Sequence, residues 1–316
     1  MMIFEGDFLN GKKNGKGKEY DENGKLIFEG EYLNGKRNGK GKEFYNNGNI
    51  NFEGEYLIGK RWNGKGFNTN KEKIYEIKDG KGKVKEYNNN GKLKFEGEYL
   101  NGEKNGKGKE YNFDKVKFEG QYKNGEKNGK GREYNYYGNV TFEGEYLKNN
   151  KKGKEFNNKG QIIFEGEYLI DEKWKGKIFK YSENGKLLIE GEYLNGEING
   201  KVKEYYNDGQ ILFEGEYLNG QRWNGKGFDK NNKKIFEIKD GKGKVKEYYF
   251  NYKLKFEGEY LNGENNRIGK QYNYYNGKLL FEGVYKNGKR TGIGKQYDFY
   301  GNLECEREYL DGRLIK

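Results

Sequence analysis

Leu26, Phe28, Gly30 and Tyr32 share one parity along the chain, while Glu29 and Glu31 take the other. Side chains of an extended backbone switch faces at every residue, so this alternation predicts a strand. Asn34-Gly35 follows, two residues that tolerate positive φ and mark a tight reversal. Lys40-Gly41-Lys42-Glu43-Phe44 reads as the returning strand, and Asn47-Gly48 as the next turn. The stretch is therefore a β-hairpin, and near-copies fill the chain. Their first aromatic positions are Phe4, Phe28, Phe52, Phe95, Phe118, Phe142, Phe164, Ile189, Phe213, Phe256 and Phe281, mostly 22 to 25 residues apart. Two gaps of 43 residues each hold a shortened unit, from Tyr75 and from Phe236, and a degenerate unit starts at Cys305. The predicted fold is all-β, an antiparallel meander of about 14 hairpins. Helix is disfavoured, because glycine at this spacing would cost about 1 kcal/mol each time.

A longer period overlies the short one. "FEGEYLIGKRWNGKGF" at 52–67 returns as "FEGEYLNGQRWNGKGF" at 213–228, a shift of 161 residues, and Phe28 maps to Ile189 and Phe95 to Phe256. Duplication of a block of about seven units explains this, with halves of roughly 4–160 and 164–316. No change of composition separates them, so residues 1–316 read as one continuous repeat domain.

Glycine weakens a strand, so its regular return needs a cause. If Gly30, Gly39 and Gly41 share the face of Phe28 and Tyr32, the rings lie over bare backbone. Glu29, Glu31, Lys40 and Lys42 then occupy the opposite face, where cross-strand charge pairs contribute about 0.2–1 kcal/mol each. One face is expected to be an aromatic–glycine layer, the other a Glu–Lys ladder.

Composition sharpens this picture. Hydrophobic residues make up 32%, charged residues 35%, and mean hydropathy is −1.30. Such values usually mean disorder, yet aromatics reach 17%, with 30 Tyr, 20 Phe, 52 Gly and no Pro in 316 residues. A regular scaffold must place those rings. The net charge of +12 points to an acidic partner or surface, against the plainer reading of a solvated Lys-rich face. The chain has no histidine, which excludes imidazole catalysis and histidine-ligated zinc. A lone cysteine, Cys305, fits a reducing, cytoplasmic setting. No apolar run is long enough to span a membrane as a helix, and the N-terminus lacks the apolar region of a signal peptide.

The pattern Phe28-x-Gly30-x-Tyr32-x-x-Gly35-x-x-x-Gly39-x-Gly41 resembles the MORN repeat, and "GKLxFEGEY" resembles its MORN-2 variant found in bacterial repeat proteins. The likeness extends over nearly the whole chain. Departures are Tyr or Phe where the family often has Trp, the second glycine replaced by Ile178 and Val202, and a shortened stretch at 148–154. The resemblance implies an elongated single-layer ribbon of hairpins, slightly curved and twisted and often dimeric. It also implies a scaffold, or an attachment module for membranes and partners; phosphoinositide binding is attributed to several members.

Candidate chemistry is sparse. Gly35-x-x-x-Gly39-Lys40 is one residue short of a phosphate-binding loop and lacks both the hydroxyl residue and the following helix. Glu29 and Glu31 recur in unit after unit facing lysines, whereas a catalytic pair would be singular. No catalytic residue, cofactor or metal is expected. Lys36, Arg37, Arg61, Lys289 and Arg290 near the turns form a candidate edge for anions or anionic lipid. Nucleic-acid stacking is disfavoured because the aromatics are already committed to the fold. Trp62, Trp174 and Trp223, each ten residues after its unit's first aromatic, read as insertions in the turn. Beside Arg61 and Arg222 they are candidate anchors for a partner or bilayer, against the reading that each folds back where the ribbon bends.

The expected function is a non-enzymatic scaffold or adaptor binding protein partners through an extended β surface. The alternatives are peripheral binding to anionic lipid and an antitoxin or immunity-like partner-binding role. Terminal strands with unpaired edges also predict self-association, side by side or end to end.

Overall fold

The computed structural model describes residues 3–148 and 150–315, all of it strand, turn or irregular chain with no helix. Met1, Met2, Lys316 and Asn149 of the shortened stretch lie outside the described residues. By contacts the chain divides into two units, Met1–Gly160 and Gln161–Lys316.

In the first unit, one sheet runs in chain order through β1 (Phe4–Leu9), β2 (Lys12–Tyr20), β3 (Leu26–Leu33), β4 (Lys36–Phe44), β5 (Ile50–Leu57), β6 (Lys60–Phe67) and β7 (Lys73–Ile77). Then β8 (Gly82–Tyr87), β9 (Leu93–Leu100), β10 (Glu103–Asn112), β11 (Lys115–Lys123), β12 (Glu126–Tyr134), β13 (Val140–Leu147) and β14 (Asn150–Phe156) pair consecutively. The second unit repeats the plan. There β15 (Ile162–Leu169), β16 (Glu172–Tyr181), β17 (Leu187–Leu194), β18 (Glu197–Tyr205), β19 (Ile211–Leu218), β20 (Gln221–Phe228) and β21 (Lys234–Ile238) pair in order. A seven-stranded sheet follows, of β22 (Gly243–Tyr248), β23 (Leu254–Leu261), β24 (Glu264–Tyr272), β25 (Leu279–Lys286), β26 (Lys289–Tyr297), β27 (Leu303–Leu310) and β28 (Arg313–Leu314). All pairings within these sheets are antiparallel between sequence neighbours, the arrangement the hairpin pattern predicts.

Two joints break the uniform meander. Between β7 and β8, and again between β21 and β22, the ladder shrinks to single bridges, Lys78↔Lys81 and Lys239↔Lys242. The shortened units are thus corners at which one sheet ends and the next begins, rather than hairpins with paired arms.

The hairpin physics follows the sequence closely. At the tips Asn34 has φ 50° and Gly35 φ 85°, both positive as the primed turns require. Gly35 also donates its N–H to the Lys13 carbonyl of the preceding hairpin at 2.8 Å, tying tip to neighbour. On one face Phe4, Tyr32, Phe28, Tyr56 and Phe52 form an edge-to-face ladder, centroids 5.2–5.6 Å apart. Such contacts contribute about 0.5–1.5 kcal/mol each beyond area burial. Phe28 and Phe52 are fully buried. A Cβ on Gly30 would lie 2.7 Å from the Phe28 ring and 2.7 Å from the Gly41 Cα, and one on Gly41 2.6 Å from the same ring. Glycine here is ring space.

Gly39 corrects the expectation for the third glycine. It has φ 96°, and a Cβ on it would meet the Glu31 carboxylate, on the face away from the rings. Three residues of β4, Asn38 to Lys40, stand opposite Glu31 alone, between the Gly30↔Gly41 and Tyr32↔Arg37 pairs. Gly39 supplies the left-handed conformation this bulge needs, and Glu31 caps it by accepting the Lys40 N–H at 3.1 Å.

The separation into an aromatic face and a charged face is also incomplete. Glu–Lys pairs do line the far face, with Lys42–Glu53 at 2.9 Å and Lys203–Glu214 at 3.3 Å. The ring layer carries a second set of charges. Lys13, Arg37, Lys104, Lys127 and Arg290 each sit over the leading Phe of their hairpin at 3.9–4.3 Å. Returning-strand carboxylates hold several of these cations in place: Glu19 pairs with Lys13 at 2.8 Å, and Arg37 reaches Glu43 at 3.3 Å.

Candidate interaction surfaces

The most buried chemistry lies at the corners. Arg222 is 9% exposed, and its Nε and Nη2 donate to the two Glu204 oxygens at 2.8 and 2.7 Å. Its Nη1 donates to Glu247, while the Tyr217 and Tyr260 hydroxyls donate to Glu204 and Glu247 at 2.6 and 2.7 Å. At the matching place in the first unit Arg61 grips Glu43, and Tyr56 donates to that carboxylate at 2.8 Å. The third donor differs. Arg61 Nη1 donates to the Tyr75 hydroxyl at 2.6 Å, whereas Phe236 stands in that place in the second unit. With no hydroxyl there, Arg222 Nη1 turns to Glu247; the counterpart Glu86 accepts from Tyr99 as Glu247 does from Tyr260, without the arginine.

These contacts relocate four candidate surface residues. Arg61 and Arg222 sit inside ion-pair networks over Phe52 and Phe213, and Arg37 and Arg290 lie over Phe28 and Phe281. Of the turn cations singled out from sequence, Lys36 and Lys289 remain exposed. The half-buried carboxylate Glu43 and the buried Glu204 and Glu247 were missed by the sequence reading. Their signal was present, because Glu43 shares the parity of Gly41 and so points to the ring layer.

Burial raises the Glu43 carboxyl, but the charges of Arg61 and Arg37 outweigh it and hold the group below its ordinary value of 4.5. Glu247 is held low the same way, by Arg222 and Lys255 against burial. Since the folded pKa values are depressed, the unfolded chain binds protons more readily there. This stabilisation is complete above the ordinary value and is lost as pH falls through the folded values. Urea titrations should show stability dropping as pH falls below the ordinary carboxylate value. In Glu43→Gln/Glu247→Gln that slope should flatten while stability at neutral pH falls; an unchanged slope would refute the assignment.

The tryptophans are displaced from where the sequence put them. The turn is Ile58-Gly59, and Trp62 lies within β6 as the extra residue between the Tyr56↔Arg61 and Glu55↔Asn63 pairs. Trp174 and Trp223 occupy the same bulge in β16 and β20. Trp62 accepts the Gly80 N–H at 2.8 Å and its ring lies against Gly80, at the corner between β7 and β8. Trp223 does the same to Gly241. Both are half-buried and brace corners. Trp174 precedes no corner and is 42% exposed.

Family profiles match this repeating geometry. That of the MORN repeat matches residues 28–50, 95–114, 118–135 and 281–298, and that of the MORN repeat variant matches 13–34, 81–101, 175–195 and 198–219. The chain carries MORN repeats. Its MORN hairpins are matched by none of the curated proteins. Among solved structures it is similar to a TcdB2–TccC3–TEV crystal structure, with TM-score 0.21, 11% identity and coverage of 92% of this chain. It is also similar to the Photorhabdus luminescens Tc holotoxin pore, with TM-score 0.19, 8% identity and 93% coverage. The chain spans 22% and 18% of the length of those chains, and likenesses this low carry no argument about its function.

Two features of the MORN surface stand out. At the hairpin tips an exposed leucine recurs, among them Leu9, Leu33, Leu57, Leu169 and Leu310. Opposite it stands Lys12, Lys36 or Lys60 in the first three hairpins, Glu172, Glu197 or Glu264 in later ones, and Arg313 in the last. On the far face, the two rows of charged side chains are separated by the glycine row, whose bare backbone forms the floor of shallow grooves.

Proposed function

We propose that this protein is a non-enzymatic scaffold that binds protein partners through the charged face of its hairpins. One observation carries the reading: the apolar side chains are mostly spent on the ring layer, leaving the other face as ordered rows of Glu and Lys across consecutive strands. Rows fixed at strand spacing suit recognition of an extended partner by charge and register. The unpaired Cys305 fits a reducing, cytoplasmic setting. The test uses the intact chain as bait beside a variant with Lys42, Glu53, Lys203 and Glu214 each reversed in charge. A partner identified with the first and lost with the second supports the reading. Capture untouched by the reversals overturns it.

The tips favour a second reading, peripheral attachment to anionic lipid. Leu33 is 52% exposed and stands opposite Lys36, an apolar and cationic pair of the kind that settles at a bilayer surface. No helix among the described residues is long and apolar enough to cross a membrane. Co-sedimentation with phosphatidylserine vesicles at low salt should then fall on Leu33→Glu/Lys36→Glu. An absence of sedimentation would remove the lipid reading.

A further inference from the structure

On the charged face of β8 to β12 lies a groove of about 700 Å³, closed at one end by Ile74 of β7. Five lysines and three glutamates line it. Its counterpart on β1 to β4 has three of each, and that on β16 to β20 three lysines and four glutamates. One replacement helps make this groove the cationic one. Gln121 stands where the other hairpins have Glu31 or Glu192, and it fills their structural role by accepting the Lys130 N–H at 2.9 Å without a charge. The row to which Gln121 belongs makes no ion pair among the described residues, as Lys16, Lys40 and Lys201 make none in the counterpart grooves. Lys85 and Lys109, in the other row, pair with Glu96 and Glu119, both at 3.7 Å. Lys83, Lys107 and Lys130 are exposed and form no ion pair among the described residues, although Glu98 stands opposite Lys83 and Glu145 opposite Lys130 in the register.

We propose that this groove binds an acidic peptide in the polyproline II conformation, with a carboxylate at every third residue. The register follows from the sheet. Lys83, Lys107 and Lys130 lie on β8, β10 and β12, alternate strands, so successive lysines stand about 9.6 Å apart. Three residues of polyproline II advance about 9.3 Å and return to the same face. A β-extended peptide covers a similar distance in three residues, but its side chains alternate, so every second carboxylate would point away. Such a peptide crosses the strands along the glycine floor and places each carboxylate beside a lysine that makes no ion pair. The inference deepens the scaffold reading and rests on it.

Fluorescence anisotropy with the full chain tests it, using a labelled Glu-Pro-Pro repeat of about fifteen residues. A peptide of equal composition with its glutamates in one block and a Lys-Pro-Pro repeat serve as comparisons. The Glu-Pro-Pro repeat should bind several-fold tighter than the block peptide, weaken with salt, and outcompete oligonucleotide or inorganic phosphate. Lys107→Glu and Gln121→Glu should each weaken it by about tenfold, while Lys40→Glu, in the balanced groove, should leave it unchanged. Gln121→Glu installs a residue that most other hairpins already hold, and an unchanged thermal transition verifies its fold. Equal binding of repeat and block peptides, preference for phosphate, or indifference to Gln121→Glu overturns the assignment. If partner capture depends on the charged rows but the Glu-Pro-Pro repeat does not bind, the groove assignment fails and the scaffold reading stands. If capture survives the reversals, the scaffold reading itself fails.

Discussion

Arg222→Met is expected to destabilise the second unit by about 3–5 kcal/mol, the largest effect of any single side-chain replacement considered for this protein. Methionine keeps an apolar stem over Phe213, so the loss isolates the charge. Glu204 would keep only the Tyr217 hydroxyl, and Glu247 the Tyr260 hydroxyl and Lys255 at 3.7 Å. A carboxylate left buried without its guanidinium costs far more than the net worth of the pair. Two comparisons make the claim specific. Arg222→Met/Glu204→Gln/Glu247→Gln should recover most of the loss, because no buried charge is left unmatched. Arg61→Met should cost less, since Glu43 retains Arg37 at 3.3 Å. Urea unfolding followed by tryptophan emission reads all three, and equal losses for Arg61→Met and Arg222→Met would contradict the networks described.

Gly30→Ala is expected to cost about 1–3 kcal/mol, although alanine is the smallest possible addition. The new methyl would sit 2.7 Å from the Lys40 carbonyl oxygen and from the Gly41 Cα, and a backbone cannot step aside as a side chain can. Gly191→Ala offers the contrast. There the leading aromatic is Ile189, the facing glycine is Val202, and the nearest atoms are Ile198 and Val202 methyl groups at 3.2 Å. Those side chains can yield by a few tenths of an ångström, so thermal unfolding should shift much less for Gly191→Ala. Equal shifts would mean that helical or strand propensity alone, rather than ring space, explains the glycines.

The tip turns, the strand boundaries and the ring-over-glycine stacking were legible because each depends on residues within one hairpin. Period-two alternation fixes which side chains share a face, and Asn34-Gly35 fixes where the chain reverses. The third glycine was misread because a bulge shifts the parity locally: once three residues of β4 face one of β3, counting by twos no longer tells which face Gly39 presents. Trp62 was misplaced for the same reason, since an insertion between two strand residues looks from sequence like an insertion in the turn.

The candidate sites were less legible. Arg61 and Arg37 lie near turns, where cations are usually solvated, and nothing in a linear reading says that a ring of their own hairpin lies beneath them or that Glu43 of β4 reaches both. The corner networks depend on strands far apart in sequence; Arg222 meets Glu247 across 25 residues and a change of sheet. The groove on β8 to β12 needed the structure as well, because Gln121 looks like a conservative change until the lysines on either side of it are seen to make no ion pair.

By itself, then, the sequence determined the hairpin, its repetition and the layer of rings over bare backbone, since those follow from side-chain parity and turn chemistry over a few residues. Only the tertiary structure decided which charges are buried, where the sheets break and which groove is left cationic. Those outcomes depend on how neighbouring hairpins satisfy one another's polar groups, and desolvated charges must find partners that no single repeat contains.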